Sequence, residues 1–273
     1  MKLLRIIVLI AFVFVSIASL TVYISEKVST DKTIPVITVE GDIIDVSLKA
    51  TDEELLKGVT AYDEKDKDLT DKIIIESVSR FTQKGVSKVT YAVCDSDNNV
   101  SKATRMIRFV GYESPKFQVT GNLCFSLYEY IDIRGMIGAV DSLEGNISDN
   151  IIVTSENYSS SIAGAFTIDV TVTNSKGDSS TVKLPLIVED RPLSVPTIEL
   201  SEYLVYTEKG KKVNFRSYIV DALDLNEMSL KNLVTVEDNM VDFNTPGTYN
   251  VHYYVTDANA LRGHSVLTVV VGE

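Results

Sequence analysis

A threefold internal repeat constrains the fold of this 273-residue chain more than any other feature of its sequence. Three segments open with a proline followed by an alternating stretch, and the prolines, Pro35, Pro115 and Pro196, stand 80 and 81 positions apart. A period of this length exceeds the roughly 20 to 50 residues of solenoid units and suits a small sandwich domain. The sequence therefore predicts three similar domains in tandem.

Each copy continues with the same series of turn and strand signals. The series is an acidic turn, a glycine and a long alternating strand: Asp63, Gly85 and 89–94, then Asp141, Gly164 and 168–173, then Asp221, Gly247 and 251–256. Val, Ile, Thr and Tyr at period two are typical of antiparallel strands with one buried face. Each copy offers about six or seven short strands, which suits an immunoglobulin-like sandwich. The predicted fold class is all-β, with three tandem immunoglobulin-like β-sandwich domains at residues 28–112, 113–191 and 192–273.

The N-terminal segment, residues 1–27, is predicted to be a transmembrane helix that precedes these domains. Lys2 and Arg5 come before an apolar run from Ile6 to Ile24 that carries no charge. As a helix this run is about 28 Å long, close to the roughly 30 Å thickness of the hydrocarbon core. The positive-inside bias leaves the N-terminus in the cytoplasm and everything after Lys27 outside. We therefore expect a single-pass protein of the cell membrane.

A cleaved signal peptide is the alternative interpretation of the same segment. Ser16 and Ala18 stand two positions apart, as small residues do at a cleavage site. Leu20, Val22 and Ile24 continue the apolar run beyond that point, which favours an uncleaved anchor. Cleavage would give a secreted protein, and both interpretations put the remaining residues outside the cytoplasm.

The charge of the exported part argues against two classes of partner. The whole chain has 26 Lys and Arg against 38 Asp and Glu, for a net charge of −12. Without Lys2, Arg5, Lys27 and Glu26, residues 28–273 keep 23 Lys and Arg against 37 Asp and Glu, for a net charge of −14. Nucleic acid binding requires clustered basic residues, and an anionic surface is repelled by anionic lipid headgroups. We therefore expect no nucleic acid partner and membrane contact only through the N-terminal helix.

Two segments of the first copy resemble a known family. Residues 58–73, from Gly58 to Ile73, and the strand and turn at 89–101 are similar to the bacterial immunoglobulin-like domain first described in a pesticidal crystal protein. The match extends over 34–111, is weaker over 114–189 and is weakest over 195–272. Domains of this family recur in tandem on exported and surface proteins of bacteria. The resemblance implies a fold and a location, and it transfers no catalytic motif.

Four aspartates of the first copy are candidates for a calcium site. Asp63, Asp66, Asp68 and Asp71 crowd one turn, and hard cations take several oxygen ligands. Their spacing does not match an EF-hand loop, the other two copies lack the cluster, and Asp also favours turns through local hydrogen bonds. We therefore predict a solvated turn and no metal or cofactor, with calcium as the alternative.

The two cysteines, Cys94 and Cys124, are candidates for one disulfide because the expected compartment permits it. Cys94 aligns with Thr173 and Thr256, at a position that points away from the apolar side of its strand. Cys124 lies 30 residues further on, in the next copy. Two free thiols are the favoured prediction, with a disulfide between copies as the alternative.

The sequence offers no clear catalytic constellation. His252 aligns with Thr90 and is predicted to face outward, His264 follows Gly263, and neither has a nearby Cys or Ser that would suggest a nucleophile and base. The chain has 13 Tyr and no Trp, which lowers the prospect of a sugar platform without removing it. Five tyrosines are candidates for stacking on a ligand, although core positions explain them as well: Tyr128, Tyr130, Tyr203, Tyr206 and Tyr218.

These observations predict a non-catalytic, membrane-anchored extracellular surface protein that serves as an adhesion or stalk module. Its partner would be an unknown envelope or extracellular protein or a glycan. The first alternative is a soluble secreted binding protein, with a glycan as one ligand it would take. A hydrolase is the distant alternative.

Overall fold

The computed structural model describes residues 2–29 and 32–272 of the chain. The chain divides into two compact units, Met1–Val110 and Gly111–Glu273. Beyond one N-terminal helix, the described residues form short strands with two brief α-helices of five and four residues. The prediction of an all-β chain behind one apolar helix is confirmed.

The N-terminal helix, α1, covers Lys2–Ser29. Its stretch Arg5–Ile24 has a mean hydropathy of 2.7, and none of that stretch is buried within the structure. The stretch is long and apolar enough to cross a membrane, by length and composition. Met1 and the side chains of the flanking Lys2, Glu26 and Lys27 lie outside the described residues.

The first repeat, Val36–Phe109, holds seven strands and one short helix. They are β1 (Val36–Val39), β2 (Ile43–Val46), α2 (Asp52–Leu56), β3 (Val59–Asp63), β4 (Lys67–Asp68), β5 (Ile74–Gln83), β6 (Val86–Cys94) and β7 (Val100–Phe109). A 3-10 helix, Thr70–Lys72, follows β4. Thr51 caps α2 by accepting a hydrogen bond from the Glu54 N–H, and acidic residues fill its first turn, as helix N-termini favour.

The second repeat, Lys116–Glu189, holds seven strands in a similar sequence. They are β8 (Lys116–Val119), β9 (Cys124–Ser126), α3 (Ile133–Met136), β10 (Ile137–Asp141), β11 (Gly145–Asn146), β12 (Ile152–Glu156), β13 (Gly164–Thr173) and β14 (Ser179–Glu189). A 3-10 helix, Ser148–Asn150, follows β11.

The third repeat, Thr197–Val271, holds six strands. They are β15 (Thr197–Leu200), β16 (Leu204–Thr207), β17 (Ile219–Leu223), β18 (Thr235–Glu237), β19 (Gly247–Thr256) and β20 (Arg262–Val271). Two 3-10 helices, Phe215–Tyr218 and Lys231–Leu233, flank β17.

The three repeats share one strand order. Each has a four-stranded sheet, β2-β7-β6-β5, β9-β14-β13-β12 and β16-β20-β19-β18, and a smaller sheet, β1-β3-β4, β8-β10-β11 and β15-β17. In each larger sheet the first strand pairs in parallel with the last strand of its repeat, and the other pairings are antiparallel. The sequence repeat therefore corresponds to a repeated strand topology.

The core of each repeat lies on one face of its long central hairpin. Alternate residues of β6, β13 and β19 are at most 2% exposed: Val89, Tyr91, Val93, Ile168, Val170, Val172, Val251, Tyr253 and Val255. Two of them keep a polar atom satisfied at depth, because the hydroxyl of Tyr91 donates to the Leu55 carbonyl and that of Tyr253 to the Phe215 carbonyl. This apolar face is the one predicted from the alternating sequence.

The second and third repeats share one continuous hydrophobic core. Strand β20 is covered on both faces: Leu267 and Val269 point into its own repeat, while Val266 and Thr268, both 0% exposed, belong to the opposite face. That opposite face lies against the second repeat, where Asn122 donates from Nδ2 to the His264 carbonyl and accepts from the Val266 N–H. We call this contact the joint.

Candidate functional site

One cluster of carboxylates lies at an end of the first repeat. Oxygen atoms of Asp63, Asp66 and Asp95 lie within 4.8 Å of one another. Asp63 ends β3 and Asp95 follows β6, so the strand ends bring the two turns together. Two of the four aspartates named from the sequence belong to this cluster. Asp95 was missed, although a polar turn after the long strand recurs in every repeat.

Hydrogen bonds within the turns account for the buried members of this cluster. Asp63 and Asp95 are 2% and 6% exposed. Asp63 Oδ1 accepts from the N–H groups of Lys65 and Asp66, and Asp95 accepts from the N–H of Asp97 and from two donors of Asn99. The carboxylates therefore close two Asx-type turns, and the burial of Asp63 and Asp95 differs from the solvated turn expected from the sequence.

A third carboxylate ties these two turns to each other. Asp66 Oδ2 accepts from both the N–H and the hydroxyl of Ser96, each at 2.9 Å. These two hydrogen bonds lower the pKa of Asp66. Asp68 lies outside the cluster and accepts instead from the Thr70 N–H at 2.9 Å. Hydrogen bonding by the Thr70 side chain, and then by its N–H, lowers the pKa of Asp68. A turn without metal stays the prediction for the four named aspartates, with calcium as the alternative.

The second repeat carries the same arrangement with one change of chemistry. Asn174 stands where the first repeat has Asp95, and its Nδ2 donates to Asp141 Oδ2 at 3.0 Å and to the Tyr112 hydroxyl at 2.8 Å. Glu144 accepts from the Ser175 N–H as Asp66 does from Ser96. The hydroxyl of Tyr112 donates to Asp178, and burial together with this bond raises the pKa of Tyr112. The second repeat thus has an amide hydrogen-bonded to a carboxylate where the first repeat has two carboxylates, Asp95 and Asp63.

A second polar cluster lies at the joint, where three strands bring ionisable groups together. Glu189 ends β14, His252 lies on β19 and His264 on β20. His264 Nδ1 is 2.8 Å from Glu189 Oε1, and His264 Nε2 is 2.9 Å from His252 Nδ1. The His264 side chain is 5% exposed. The three groups form one hydrogen-bonded chain from carboxylate to imidazole to imidazole.

Two arginines and one tyrosine enclose this chain. Arg191 Nη1 is 3.1 Å from Glu189 Oε2, and its Nη2 donates to the Cys124 carbonyl at 3.1 Å. The ring of Tyr254 stacks on His264 with 4.4 Å between centroids, and the guanidinium of Arg262 lies 3.7 Å from the Tyr254 centroid. The arginine contact is a cation–π interaction, and the stack covers the imidazole from solvent.

The pKa values of His252 and Glu189 are both lowered, and the two shifts have different physical causes. Desolvation, assisted by the neighbouring His264, lowers the pKa of His252. The hydrogen bond from His264 lowers the pKa of Glu189. Burial therefore favours a neutral His252, while the hydrogen bond favours an ionised Glu189.

The outward orientation predicted for His252 needs a qualification, because the second repeat covers that face. The signal for this cover is the nearly continuous apolar run from Val266 to Val271, which is typical of a strand buried on both faces. The described hydrogen bonds of the two imidazoles go to each other and to Glu189, with no serine hydroxyl or cysteine thiol in the chain they form.

Both cysteines are free in the structure. Cys94 is exposed, on the side of β6 away from the core, and Cys124 is buried at the joint. Desolvation, reinforced by the charge of Glu189, raises the pKa of the Cys124 thiol. A thiol of this kind is a poor nucleophile near neutral pH.

Two of the five tyrosines named from the sequence protrude from the surface. Tyr128 and Tyr130 are 77% and 86% exposed, on the loop after β9, and Tyr128 adopts a positive φ of 63°. Tyr203 is buried, and Tyr206 accepts a hydrogen bond from the Phe117 N–H. The loop tyrosines are thus available for stacking, whereas Tyr203 is used in packing and Tyr206, 39% exposed, is held through its hydroxyl.

The structure also contains surface grooves. One of about 910 Å³ lies beside α2 and includes Glu53, Glu54 and Asp71, but Glu54 already accepts hydrogen bonds from the N–H and hydroxyl of Ser47. Another, of about 370 Å³, lies at the joint and includes Cys124 and His264.

Comparison with known proteins gives two sequence relatives. No family model matches the chain. The chain is 28% identical over 250 residues to the pesticidal crystal protein Cry22Aa of Bacillus thuringiensis, which covers 86% of this chain and 33% of that protein. It is 27% identical over 139 residues to an uncharacterized 81.3 kDa protein of Acholeplasma phage L2, covering 50% of this chain and 18% of that protein. The chain therefore spans a third or less of these relatives.

Solved structures give only distant similarity. A structure of the CBM51-2 and INT domains of Clostridium perfringens ZmpB with GlcNAc is 19% identical, with a TM-score of 0.23, and covers 54% of this chain and 26% of that one. The mouse clustered protocadherin PcdhgC3 EC1-3 is 12% identical, with a TM-score of 0.22, and covers 69% and 77%. Scores this low carry no argument. The match to a pesticidal crystal protein agrees with the sequence resemblance at a coarse level.

Proposed function

We propose that this chain is a non-catalytic, membrane-anchored surface protein whose β repeats serve outside the cytoplasm as an adhesion or stalk module. The observation that carries the proposal is α1, whose apolar stretch Arg5–Ile24 is wholly unburied within the structure. Leaving so much apolar surface in water is unfavourable by about 25 cal/mol per Å². A bilayer removes that cost, and Lys2 and Arg5 orient the helix with its N-terminus in the cytoplasm.

The proposal assigns each repeat to an immunoglobulin-like domain, at residues 28–112, 113–191 and 192–273. The shared strand order of two packed sheets supports this assignment. The resemblance of the first repeat to the bacterial immunoglobulin-like family and the 28% match to a pesticidal crystal protein support it from the sequence. The partner would be an envelope or extracellular protein or a glycan.

A soluble secreted binding protein is the second candidate, and it follows if α1 is removed by cleavage. Ser16 and Ala18 have the spacing of a cleavage site. The exposed rings of Tyr128 and Tyr130 favour a glycan among its ligands, because aromatic faces left in water stack readily on apolar surfaces of a ligand.

The two cysteines provide a test of the location. Cys94 is exposed and Cys124 is buried, so a membrane-impermeant maleimide reports on Cys94. We expect labelling of the full chain in intact cells to equal that in lysed cells, and Cys94→Ser to abolish it. Labelling that requires lysis would place the repeats in the cytoplasm and contradict both candidates.

Anchoring and secretion are then separated by fractionation and mass. We expect the full chain to stay in the membrane after alkaline extraction, with an intact mass that includes residues 2–24. As a control, Val13→Lys and Ile17→Lys together place two charges within the apolar stretch and should release the chain from the membrane, because each charge costs about 3 kcal/mol there. A wild-type product in the medium that begins near residue 19 would favour the secreted candidate.

A further inference from the structure

The joint between the second and third repeats places two histidines in direct contact at a buried site. His252 Nδ1 and His264 Nε2 are 2.9 Å apart, and His264 Nδ1 is 2.8 Å from Glu189 Oε1. A hydrogen bond between two nitrogens requires that one carry the hydrogen and the other accept it. We propose that this pair makes the joint a proton-sensitive contact, closed near neutral pH and opened in mild acid.

The proton count explains why the contact is sensitive. With Glu189 ionised, His264 Nδ1 carries a hydrogen and donates it. One further hydrogen lies between His264 Nε2 and His252 Nδ1, and a third is accommodated on His252 Nε2, so the pair holds at most one positive charge. A second charge would put hydrogens on both facing nitrogens, which breaks their hydrogen bond and sets two like charges at contact distance.

Carboxylates and guanidiniums from several elements surround the two imidazoles. The titratable and charged groups around the imidazoles come from five strands. Cys124 lies on β9, Glu189 ends β14, and Arg191 lies two residues beyond it. Glu237 lies on β18, Tyr254 on β19 and Arg262 on β20. Glu129 and Glu199 line the groove beside His264, and Glu129 already accepts from the Ser126 N–H. Four carboxylates thus stand against two guanidiniums, so a second proton is opposed by the lost hydrogen bond between the facing nitrogens and by the contact of two like charges.

The direction of the pH dependence follows from the pKa of His252, which burial and His264 lower from its ordinary 6.5. The unfolded or opened form therefore binds a proton more readily than the closed form. The opened form takes a proton on each imidazole and the closed pair holds at most one, so the stability of the joint is full above about pH 6.5 and falls as the pH drops below it. The pKa of Glu189 is lowered from 4.5, so its own loss begins only at lower pH.

The two thiols measure opening of the joint without any engineered probe. Cys124 is buried at the joint and interacts with Glu189, Arg191 and Tyr254, whereas Cys94 is exposed. The full chain in detergent is treated with 4,4′-dithiodipyridine, which reacts in acid, at about pH 7.5 and about pH 5. Peptide mass spectrometry gives the modification rate at Cys124 relative to Cys94, so the pH dependence of thiol reactivity largely cancels. Circular dichroism at both pH values shows whether the fold is kept.

We expect the Cys124 to Cys94 ratio to rise about tenfold between the two pH values, because an opened form that binds one more proton than the closed form gains up to about tenfold per pH unit. His252→Asn keeps a neutral polar group near the position of Nδ1 and should give a ratio that does not change with pH. Thr90→Asn alters the aligned position of the first repeat and should behave as the wild type. A ratio independent of pH in the wild type would overturn the proposal. An equal rise in His252→Asn, by local opening or by unfolding, would overturn it as well.

Discussion

The carboxylate cluster of the first repeat and its counterpart in the second differ at one residue, Asp95 against Asn174. In the second repeat the amide nitrogen donates to Asp141 at 3.0 Å. In the first, Asp63 and Asp95 are both less than 10% exposed and both only accept hydrogen bonds. Two like charges at this separation disfavour each other. The two repeats therefore allow a comparison between an amide–carboxylate pair and a carboxylate–carboxylate pair at equivalent positions.

We predict that Asp95→Asn stabilises the protein by about 1 kcal/mol, because the removal of one of two buried like charges and the new donor to Asp63 outweigh the lost hydrogen bond from Asn99 Nδ2. Thermal melting in calcium-free buffer measures the change. Asp71→Asn, an exposed position outside the cluster, should leave the melting temperature unchanged. A wild type that melts higher with calcium, with Asp95→Asn insensitive to it, would instead establish the cluster as a cation site.

At the scale of elements, a buried arginine connects α2 to the core of the first repeat. Arg105, on β7, is 2% exposed and donates to the carbonyls of Leu55 and Lys57 at the end of α2. It also donates to the Tyr91 hydroxyl at 3.0 Å. These carbonyls have no partner within the helix, and a cation is favourable beside them. Arg105 therefore completes a helix too short to be stable by itself.

We predict that Arg105→Met destabilises the first repeat by about 3 kcal/mol, because the Lys57 carbonyl and the Tyr91 hydroxyl each lose a donor and the Leu55 carbonyl keeps only that hydroxyl. Arg108→Met is the matched control, since Arg108 lies on the same strand in a half-exposed ion pair with Asp45 and should cost less than about 1 kcal/mol. Urea denaturation measures both. Equal losses for the two variants would contradict the structural role of Arg105.

At the scale of the molecule, the second and third repeats form one compact unit, Gly111–Glu273, around a shared core. The sheet face of β19 and β20 that carries His264 and Val266 is buried against the second repeat. The equivalent face of the first repeat keeps Lys88, Lys102 and Thr104 exposed. Because burial couples the stabilities of packed neighbours, the second and third repeats should unfold together.

We predict that Val266→Asp lowers the free energy of unfolding of both the second and third repeats by about 4 kcal/mol, since it buries an unpaired charge. Hydrogen exchange should show the amides of β13 and β14 losing protection together with those of β19 and β20. Thr104→Asp, at the aligned exposed position of the first repeat, should change stability by less than about 0.5 kcal/mol. A loss confined to β19 and β20 would contradict the shared unfolding.

Local periodicity in the sequence predicts most of the fold. The alternation at 89–94, 168–173 and 251–256 predicts which side of each strand is buried, because side chains of a strand alternate between two faces. The run from Ile6 to Ile24 predicts the N-terminal helix from length and charge alone. The turn aspartates Asp63 and Asp66 were also identifiable, since turn chemistry is local.

Contacts between distant residues were decided only by the tertiary structure. Asp95 lies beside Asp63 and Asp66 because the ends of two strands are close in space, and no spacing in the sequence predicts that proximity. His252 and His264 become partners through the register of one hairpin, and Glu189 reaches them through packing of two repeats. A period of two specifies the side of a strand, whereas the identity of what covers that side depends on how whole sheets pack. The sequence by itself thus determined the repeats and their buried faces, and the tertiary structure determined the joint and its ionisable pair.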